Sequence, residues 1–493
     1  MAMRTTQPAE WVVADIPCFA VVGKVNMGKS AVLATLLEED DDRIIRISPE
    51  PGETTRCQRL SLVLDGAERL RFIDTPGFQQ PIEALRAIRA LHGGQTGTPG
   101  LATLQAFVDE YRDTGAFEDE CRLLEPLLQG AGILYVIDPG VPVYDSFLAE
   151  IEILRFSGRA RLALLNQRGE DGGAREAEWR EHLGKAFNLV RVFDAHRARF
   201  ATRRDLLAAL NQIDERDRAH LETTTALLDA EWQQRREEAA ERIQSFLRSA
   251  LKLRERGHYG EDAPAAEAAK RAAIKQASRR YFDRIAALER EAANDLLALY
   301  RHTAIQAEAM TGFSEDLDLA SDETWRRLGL TRQQLTFVGA AVGASAGIGV
   351  DAATFGHSLG IGALLGGLGG GALAFFKGDA IPTLRLDLAR IGPLGGQRIT
   401  VGPPRNPNFA WVLLDSLLIR YRQILSRAHA RRGDALASDD EPSASIARAL
   451  PGERQKALAR WFRSLAKSDD NDERAQAAWR ALLDTLAAIE DEL

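Results

Sequence analysis

The sequence predicts an α/β domain with a doubly wound, mostly parallel sheet, followed by a mainly α-helical domain that carries a Gly-rich helical hairpin. Three observations predict it. Short apolar runs alternate with helical stretches from Cys18 to about residue 210, the pattern of successive βα units. Beyond that point the alternation gives way to long stretches with apolar residues at three- and four-residue steps, the period of an amphipathic helix. Finally, Leu335–Phe376 contains only Asp351 and His357 as ionisable groups and two glycine ladders, Gly339-Gly343-Gly347 and Gly362-Gly366-Gly370.

The first element is the apolar run Cys18–Val22, which leads into Gly23-Lys24-Val25-Asn26-Met27-Gly28-Lys29-Ser30 and then the apolar stretch Ala31–Leu37. A strand, a Gly-rich loop and a helix in this order make a cradle for phosphate. The glycines let the backbone curl until successive N–H groups point inward, and the helix adds its positive end. Lys29 is placed to reach the β- and γ-phosphates of a nucleoside triphosphate and Ser30 to ligate Mg²⁺. Gly23, Lys24, Val25, Asn26, Met27, Gly28, Lys29, Ser30 and Ala31 are therefore the candidate nucleotide-binding residues.

Next come Leu60–Leu64 and Leu70–Asp74, flanking the turn pair Asp65-Gly66, a hairpin signal that suits an antiparallel edge strand. The second arm ends in Asp74-Thr75-Pro76-Gly77, an Asp-x-x-Gly motif. Between loop and hairpin lies Pro51-Gly52-Glu53-Thr54-Thr55-Arg56. Together these motifs resemble the Era/TrmE-like branch (TrmE, Era, EngA and septin) of P-loop GTPases. The resemblance covers roughly the first two hundred residues. It implies that Asp74 holds Mg²⁺ through a water, that the Gly77 amide contacts the γ-phosphate, and that Thr55, with Thr54 as its neighbour, is a Mg²⁺ ligand closing on the triphosphate.

After the strand-like Arg161–Leu165 the family expects Asn-Lys-x-Asp, whereas this chain has Asn166-Gln167-Arg168-Gly169. Asn166 is retained and Gln167 can still pack over a base, but Gly169 brings no carboxylate to a guanine edge. Glu170 or Asp171 would reach it only in a shifted register. GTP is the expected nucleotide, with ATP or relaxed base choice as the alternative. Leu189–Phe193 reads as the sixth strand, and Asp194-Ala195-His196 takes the place of the family's Ser-Ala loop, with His196 as a base-side or surface residue.

Ras-like enzymes orient the attacking water with a glutamine directly after the Asp-x-x-Gly motif. Here Phe78 stands there, and glutamines appear only at Gln79 and Gln80. The resemblance implies slow intrinsic hydrolysis, raised by K⁺ held at Asn26 or by pairing of two G domains in a homodimer. The alternative for Asn26 is a loop-shaping residue. The catalytic set is then Lys29, Asn26, Thr55, Asp74 and Gly77, with Ser30, Thr55 and Asp74 on the metal.

The chain has 493 residues, 45% of them apolar, enough for two or three domains. The expected G domain is 1–210, with an insertion at about 78–130. The insertion is either a docking face for a partner that reads the bound nucleotide or plain helical filler. Strand Ile133–Asp138 and helix Phe147–Phe156 resume the α/β pattern after it. A helical domain over 211–430, a linker at 431–447 and C-terminal helices at 448–493 follow. The net charge of −8 gives no general basic footprint, so nucleic acid is not a favoured partner. Cys18, Cys57 and Cys121 have no metal spacing, and with no signal-peptide pattern over Met1–Ile16 the expectation is a cytoplasmic protein.

Leu228, Trp232, Ala239, Ile243, Phe246, Ala250 and Leu253 mark one long amphipathic helix, and Gly257–Pro264 is read as its break. Ile274, Tyr281, Ile285, Leu288, Ala292, Leu296 and Leu299 mark a second, the two packing as in a bundle or stalk. Glycine at every fourth residue over 335–376 opens a groove for close helix approach. The arms of this hairpin, about 24 and 28 Å long at 1.5 Å per residue, are short against a hydrocarbon core of roughly 30 Å. The readings open are a hairpin buried among the helices, one inserted in a bilayer, and one released by nucleotide state or a membrane surface. Thr383–Leu388 and Arg398–Val401 form a small hairpin, Phe409–Arg427 an apolar helix, and a final helical pair ends at Leu493. This half resembles the helical C-terminal domain of an uncharacterised bacterial GTPase family. The whole reads as a GTP-hydrolysing switch whose helical half contacts a membrane, the inner membrane included, or a protein partner. A membrane-seeking or scaffold protein with a barely hydrolysing G domain is the rival, and a metabolic P-loop kinase the third reading.

Overall fold

The structure is a computed structural model. It describes residues 11–12, 16–39, 57–93, 97–167, 173, 175–195, 197–260, 266–302, 384–391, 396–404, 409–427, 445–467 and 471–493. Thr54, Thr55 and the rest of 51–56, Arg168 to Asp171, His196, the Gly-rich hairpin 335–376 and most of the 431–447 linker lie outside these residues. The chain divides into two compact units, Met1–Gln233 with Arg427–Gly433, and Gln234–Ser426 with Asp434–Leu493.

In the first unit β1 (Cys18–Val22), β2 (Gln58–Leu64), β3 (Ala67–Asp74), β4 (Gly132–Ile137), β5 (Arg161–Asn166) and β6 (Leu189–Phe193) form one sheet in the order β2-β3-β1-β4-β5-β6. Only β2 runs antiparallel, joined to β3 by the predicted Asp65-Gly66 turn, where both residues take positive φ. The other neighbours are parallel, with Val21 opposite Asp74 and Val22 opposite Tyr135. This is the doubly wound α/β architecture expected from the sequence. Strands β1 and β4 are buried along their whole length, as near-continuous apolar runs must be when helices cover both sheet faces.

Helices α1 (Lys29–Leu37), α2 (Pro81–His92), α3 (Leu101–Tyr111), α4 (Glu118–Gln129), α5 (Asp145–Phe156), α6 (Glu176–Gly184) and α7 (Phe200–Ile213) surround the sheet. The segment read as an insertion supplies α2, α3 and α4. Leu104, Phe107 and Val108 of α3 and Leu123, Leu124 and Leu127 of α4 are fully buried in the same core as β1. They belong to the framework of the domain.

The unit boundary falls within α8 (Arg218–Lys252). In the second unit α9 (Ala266–Leu299) packs on a three-stranded antiparallel sheet of β7 (Glu255–Gly260), β9 (Gly396–Pro404) and β8 (Leu384–Ile391), in that order. The β8–β9 hairpin was expected, whereas β7 replaces what was read as a simple helix break. Glu-Arg-Gly-His-Tyr-Gly has no apolar alternation to announce a strand. Its pairing comes from β9, and Gly257 lets α9 lie close, since a Cβ there would stand 3.3 Å from the Ala273 carbonyl oxygen.

Helix α10 (Phe409–Ser426) is buried on nearly all sides, and α11 (Ile446–Ala449), α12 (Gly452–Ala466) and α13 (Asp472–Glu492) also belong to the unit. Its core holds a chain of polar side chains. The Tyr421 hydroxyl donates to Glu490, so the Tyr300 hydroxyl, 2.9 Å away, donates to Tyr421, while Arg236 bridges Glu490 at 3.1 Å. Among the described residues no helix is long and apolar enough to cross a membrane.

Candidate nucleotide site

The Gly23–Ser30 loop runs from the end of β1 to the start of α1 at the carboxyl edge of the sheet, where ligands bind in open α/β folds. Two of its residues need glycine. Gly23 has φ +150° and a Cβ would stand 2.3 Å from the Val136 carbonyl oxygen. Gly28 has φ +90° and a Cβ there would meet the Asn166 side-chain nitrogen at 2.2 Å. Asn26 is exposed at the tip in the left-handed region, φ 64°, which asparagine tolerates better than most side chains.

Lys29 is buried, and its Nζ donates to the carbonyls of Gly23 at 2.9 Å and Lys24 at 3.3 Å. Burial pushes this ammonium below the usual lysine range, with Asp74 and Glu150 pulling the other way. Ser30 follows it on the first turn of α1, partly exposed. Asp74 ends β3 beside β1 and is only 5% exposed.

After Asp74, Thr75 ties the loop to β1, its hydroxyl donating to the Val21 carbonyl at 2.8 Å. Gly77 then lies against the phosphate loop. A Cβ there would stand 3.0 Å from the Gly23 carbonyl oxygen and 3.2 Å from the Val25 amide nitrogen. Phe78 turns into the core, 4% exposed. Thus Gly23, Lys29, Asp74 and Gly77 come together around one loop, and Ser30 sits one residue from Lys29. Thr55 lies outside the described residues.

At the end of β5, Asn166 is fully buried and uses both ends of its amide. Its nitrogen donates to the Met27 carbonyl at 3.1 Å, and its oxygen accepts from the Ala195 N–H at 3.1 Å. The Ala195 carbonyl accepts in turn from Thr35 of α1 at 2.9 Å. Asn166 therefore braces the phosphate loop to the loop after β6. Gln167 takes a different direction: its side-chain amide donates to Glu176, the first residue of α6, at 3.0 Å.

Two acidic residues that the sequence did not single out complete the surroundings. Glu150 of α5 is fully buried. It accepts from the Tyr135 hydroxyl at 2.8 Å and faces Lys24 of the phosphate loop at 3.8 Å. Lys24 is held further by Ser146 and by the Phe147 ring, 4.1 Å from its Nζ. Burial raises the Glu150 carboxyl from 4.5 to about 7, against the opposing effects of the Tyr135 hydrogen bond, Lys24 and Lys29. Glu120 of α4, 1% exposed, accepts from the backbone N–H groups of Gln79 and Gln80 at 2.8 and 2.6 Å. Glu150 lies three residues beyond Phe147 in the same helix, so a search for acids one helical turn from the loop-facing residues would have found it. Glu120 carries no local signal.

Comparison with known proteins agrees with this geometry. Residues 18–152 match the family model described as 50S ribosome-binding GTPase. Over 78 residues, 16% of this chain, the sequence is 31% identical to the probable GTP-binding protein EngB of Bacillus mycoides (strain KBAB4) and to that of Bacillus cereus (strain B4264), and 30% identical to that of Bacillus cytotoxicus. The chain spans 36% of the length of these relatives. The α/β unit is thus a P-loop GTPase domain. Residues 180–488, well over half of the chain, match a second model, and the chain accordingly belongs to the family described as Domain of unknown function (DUF3482).

Proposed function

We propose that this chain hydrolyses GTP to GDP and phosphate and acts as a nucleotide-dependent switch. One observation carries the reading: Gly77 of the Asp-x-x-Gly motif is packed against the backbone of Gly23 and Val25. A loop so placed senses the terminal phosphate, which a switch requires and a metabolic kinase does not. In this reading Gly23 to Ala31 bind the phosphates, with Lys29 on the β- and γ-phosphates, and Asn166 and Gln167 border the base. The hydroxyls of Ser30 and Thr55, and the carboxylate of Asp74 acting through a water, are hard oxygen groups of the kind Mg²⁺ takes. Bound Mg²⁺ supplies neutralisation of charge on the β- and γ-phosphate oxygens.

Asn26, exposed at the loop tip, is the residue we assign to a K⁺ ion, with a second G domain completing the site in a homodimer. We place the protein in the cytoplasm, with the helical half and its Gly-rich segment meeting a membrane or protein partner. Steady-state turnover of GTP and ATP in K⁺ and in Na⁺, beside Lys29→Ala, tests the core of this. GTP turnover favoured by K⁺ and lost in the variant is expected. An ATP preference overturns the base assignment, and intact binding without turnover favours the scaffold reading. Equal rates in Na⁺ and K⁺, with Asn26→Ala matching wild type, defeat the K⁺ assignment.

A further inference from the structure

The segment after the Asp-x-x-Gly motif is held from a distance. Helix α2 begins at Pro81, and its N-cap residue Gln80 makes no side-chain cap, so the helix entrance needs an acceptor for its free backbone N–H groups. Of the N–H groups at this entrance, that of the N-cap residue Gln80 goes to Glu120 at 2.6 Å, which also receives the N–H of the preceding Gln79 at 2.8 Å. Glu120 comes from α4, some forty residues later in the chain. A carboxylate at a helix N-terminus is favoured by charge as well as by hydrogen bonding.

The helix on which Glu120 stands is anchored in the core. Leu123, Leu124 and Leu127 of α4 are fully buried, and the far end of the helix is fixed by Arg159, which donates to the carbonyls of Leu127 at 2.8 Å and Leu128 at 3.2 Å. At the other side of the motif, Thr75 is fastened to Val21 of β1 by its hydroxyl. The span Pro76-Gly77-Phe78 is therefore a short strap between two anchors, with Gly77 at its middle against the phosphate loop and Phe78 in the core. Where the Gly77 amide lies depends on both anchors.

We infer that Glu120 is a positioning residue for the Gly77 amide, through which the α3–α4 segment sets the response of the domain to the terminal phosphate of GTP. The inference rests on the reading of Gly77 as the γ-phosphate contact. It has a selective consequence. GDP has no γ-phosphate and is held by the Gly23–Ser30 loop, whereas the hydrogen bonds of Glu120 go to Gln79 and Gln80, so removing Glu120 weakens GTP binding and spares GDP.

The test is the affinity of the full chain for a non-hydrolysable GTP analogue and for GDP, in wild type, Glu120→Ala and Glu120→Gln. The preference for the GTP analogue over GDP is expected to fall about tenfold in Glu120→Ala, the worth of hydrogen bonds to one charged group. GDP affinity should stay within about twofold. Glu120→Gln keeps an acceptor oxygen and should recover part of the preference. A change in packing alone would weaken both nucleotides together, and that result overturns the assignment, as does an unchanged preference. Should Glu120→Ala fail to fold, Glu120→Asp carries the same test, since it keeps the charge but draws the carboxylate back by one methylene. A wild-type chain that binds no guanine nucleotide defeats the functional reading itself. A wild-type chain that binds both, with a preference unmoved in the variants, defeats only the role of Glu120.

Discussion

The side-chain nitrogen of Asn166 donates to the Met27 carbonyl at 3.1 Å, joining the end of β5 to the phosphate loop. With its oxygen on the Ala195 N–H, the residue ties together the end of β5, the phosphate loop and the loop after β6. Asn166→Asp replaces the donor with a second acceptor facing the Met27 carbonyl. A buried group left without its partner costs roughly 1–3 kcal/mol, so where that cost falls on the bound state nucleotide affinity should drop by about five- to 150-fold. Titration calorimetry with GDP checks this, and an unchanged affinity would remove the bracing role.

Gly77 gives a sharper test of the γ-phosphate contact. Gly77→Ala introduces a Cβ 3.0 Å from the Gly23 carbonyl oxygen, and both neighbours are backbone with little room to give. The strap must shift away from the phosphate loop. GDP should still bind, while turnover of GTP falls by about a hundredfold, the scale on which one misplaced donor acts in a transition state. Single-turnover hydrolysis measures it, and wild-type turnover would contradict the contact.

These two sites differ in how far they were legible in the sequence. The loop glycines, Lys29, the β2–β3 hairpin and the Asp-x-x-Gly motif are local patterns, and the structure gives each the element that its pattern implied. Asn166 was found by its place after a strand, but its work as a brace depends on Met27 and Ala195, far off in the chain. Glu120 is, along the chain, one of three acids in Glu118-Asp119-Glu120, the ordinary charge of a helix first turn. Only the packing of α4 against β1 brings it to Gln79. Strand β7 escaped for a related reason, since its pairing is supplied by a segment well over a hundred residues away.

Glu150 makes the stability of the protein depend on pH. Its carboxyl rises from 4.5 to about 7 on burial, so the folded chain holds this proton more tightly than the unfolded one. The contribution is complete below about pH 4.5 and is lost as pH rises through about 7, a total of about 3 kcal/mol. Glu150→Gln removes it, so the variant should gain on wild type between those limits and hold a constant difference above them. Asp415, raised by burial to about 6, acts in the same direction in both proteins and cancels in the comparison. Urea unfolding at a series of pH values reads the difference, and parallel curves for the two proteins would refute the assignment.

The helix that carries Lys29 is fastened at its other end by a buried ion pair. Arg203 of α7 donates to the Leu36 carbonyl through Nε at 3.1 Å and through a terminal nitrogen at 2.9 Å, and its other terminal nitrogen pairs with Glu38. Both side chains are about as buried as the apolar core, at 5 and 3% exposure. Removing Arg203 leaves a carboxylate inside the protein without its guanidinium, together with the Leu36 carbonyl, which loses both of these donors. Arg203→Met should therefore cost roughly 3–5 kcal/mol. Replacing both charges by apolar groups is a different case, because the desolvation of the ions is relieved at the same time. The double variant Arg203→Met with Glu38→Leu should recover much of the loss, short of the part owed to the Leu36 carbonyl. A denaturant series on the wild type, the single and the double variant measures the coupling. Additive losses in the double variant would mean that the pair contributes as two independent side chains, and the fastening of α1 would then rest on the Leu36 carbonyl alone.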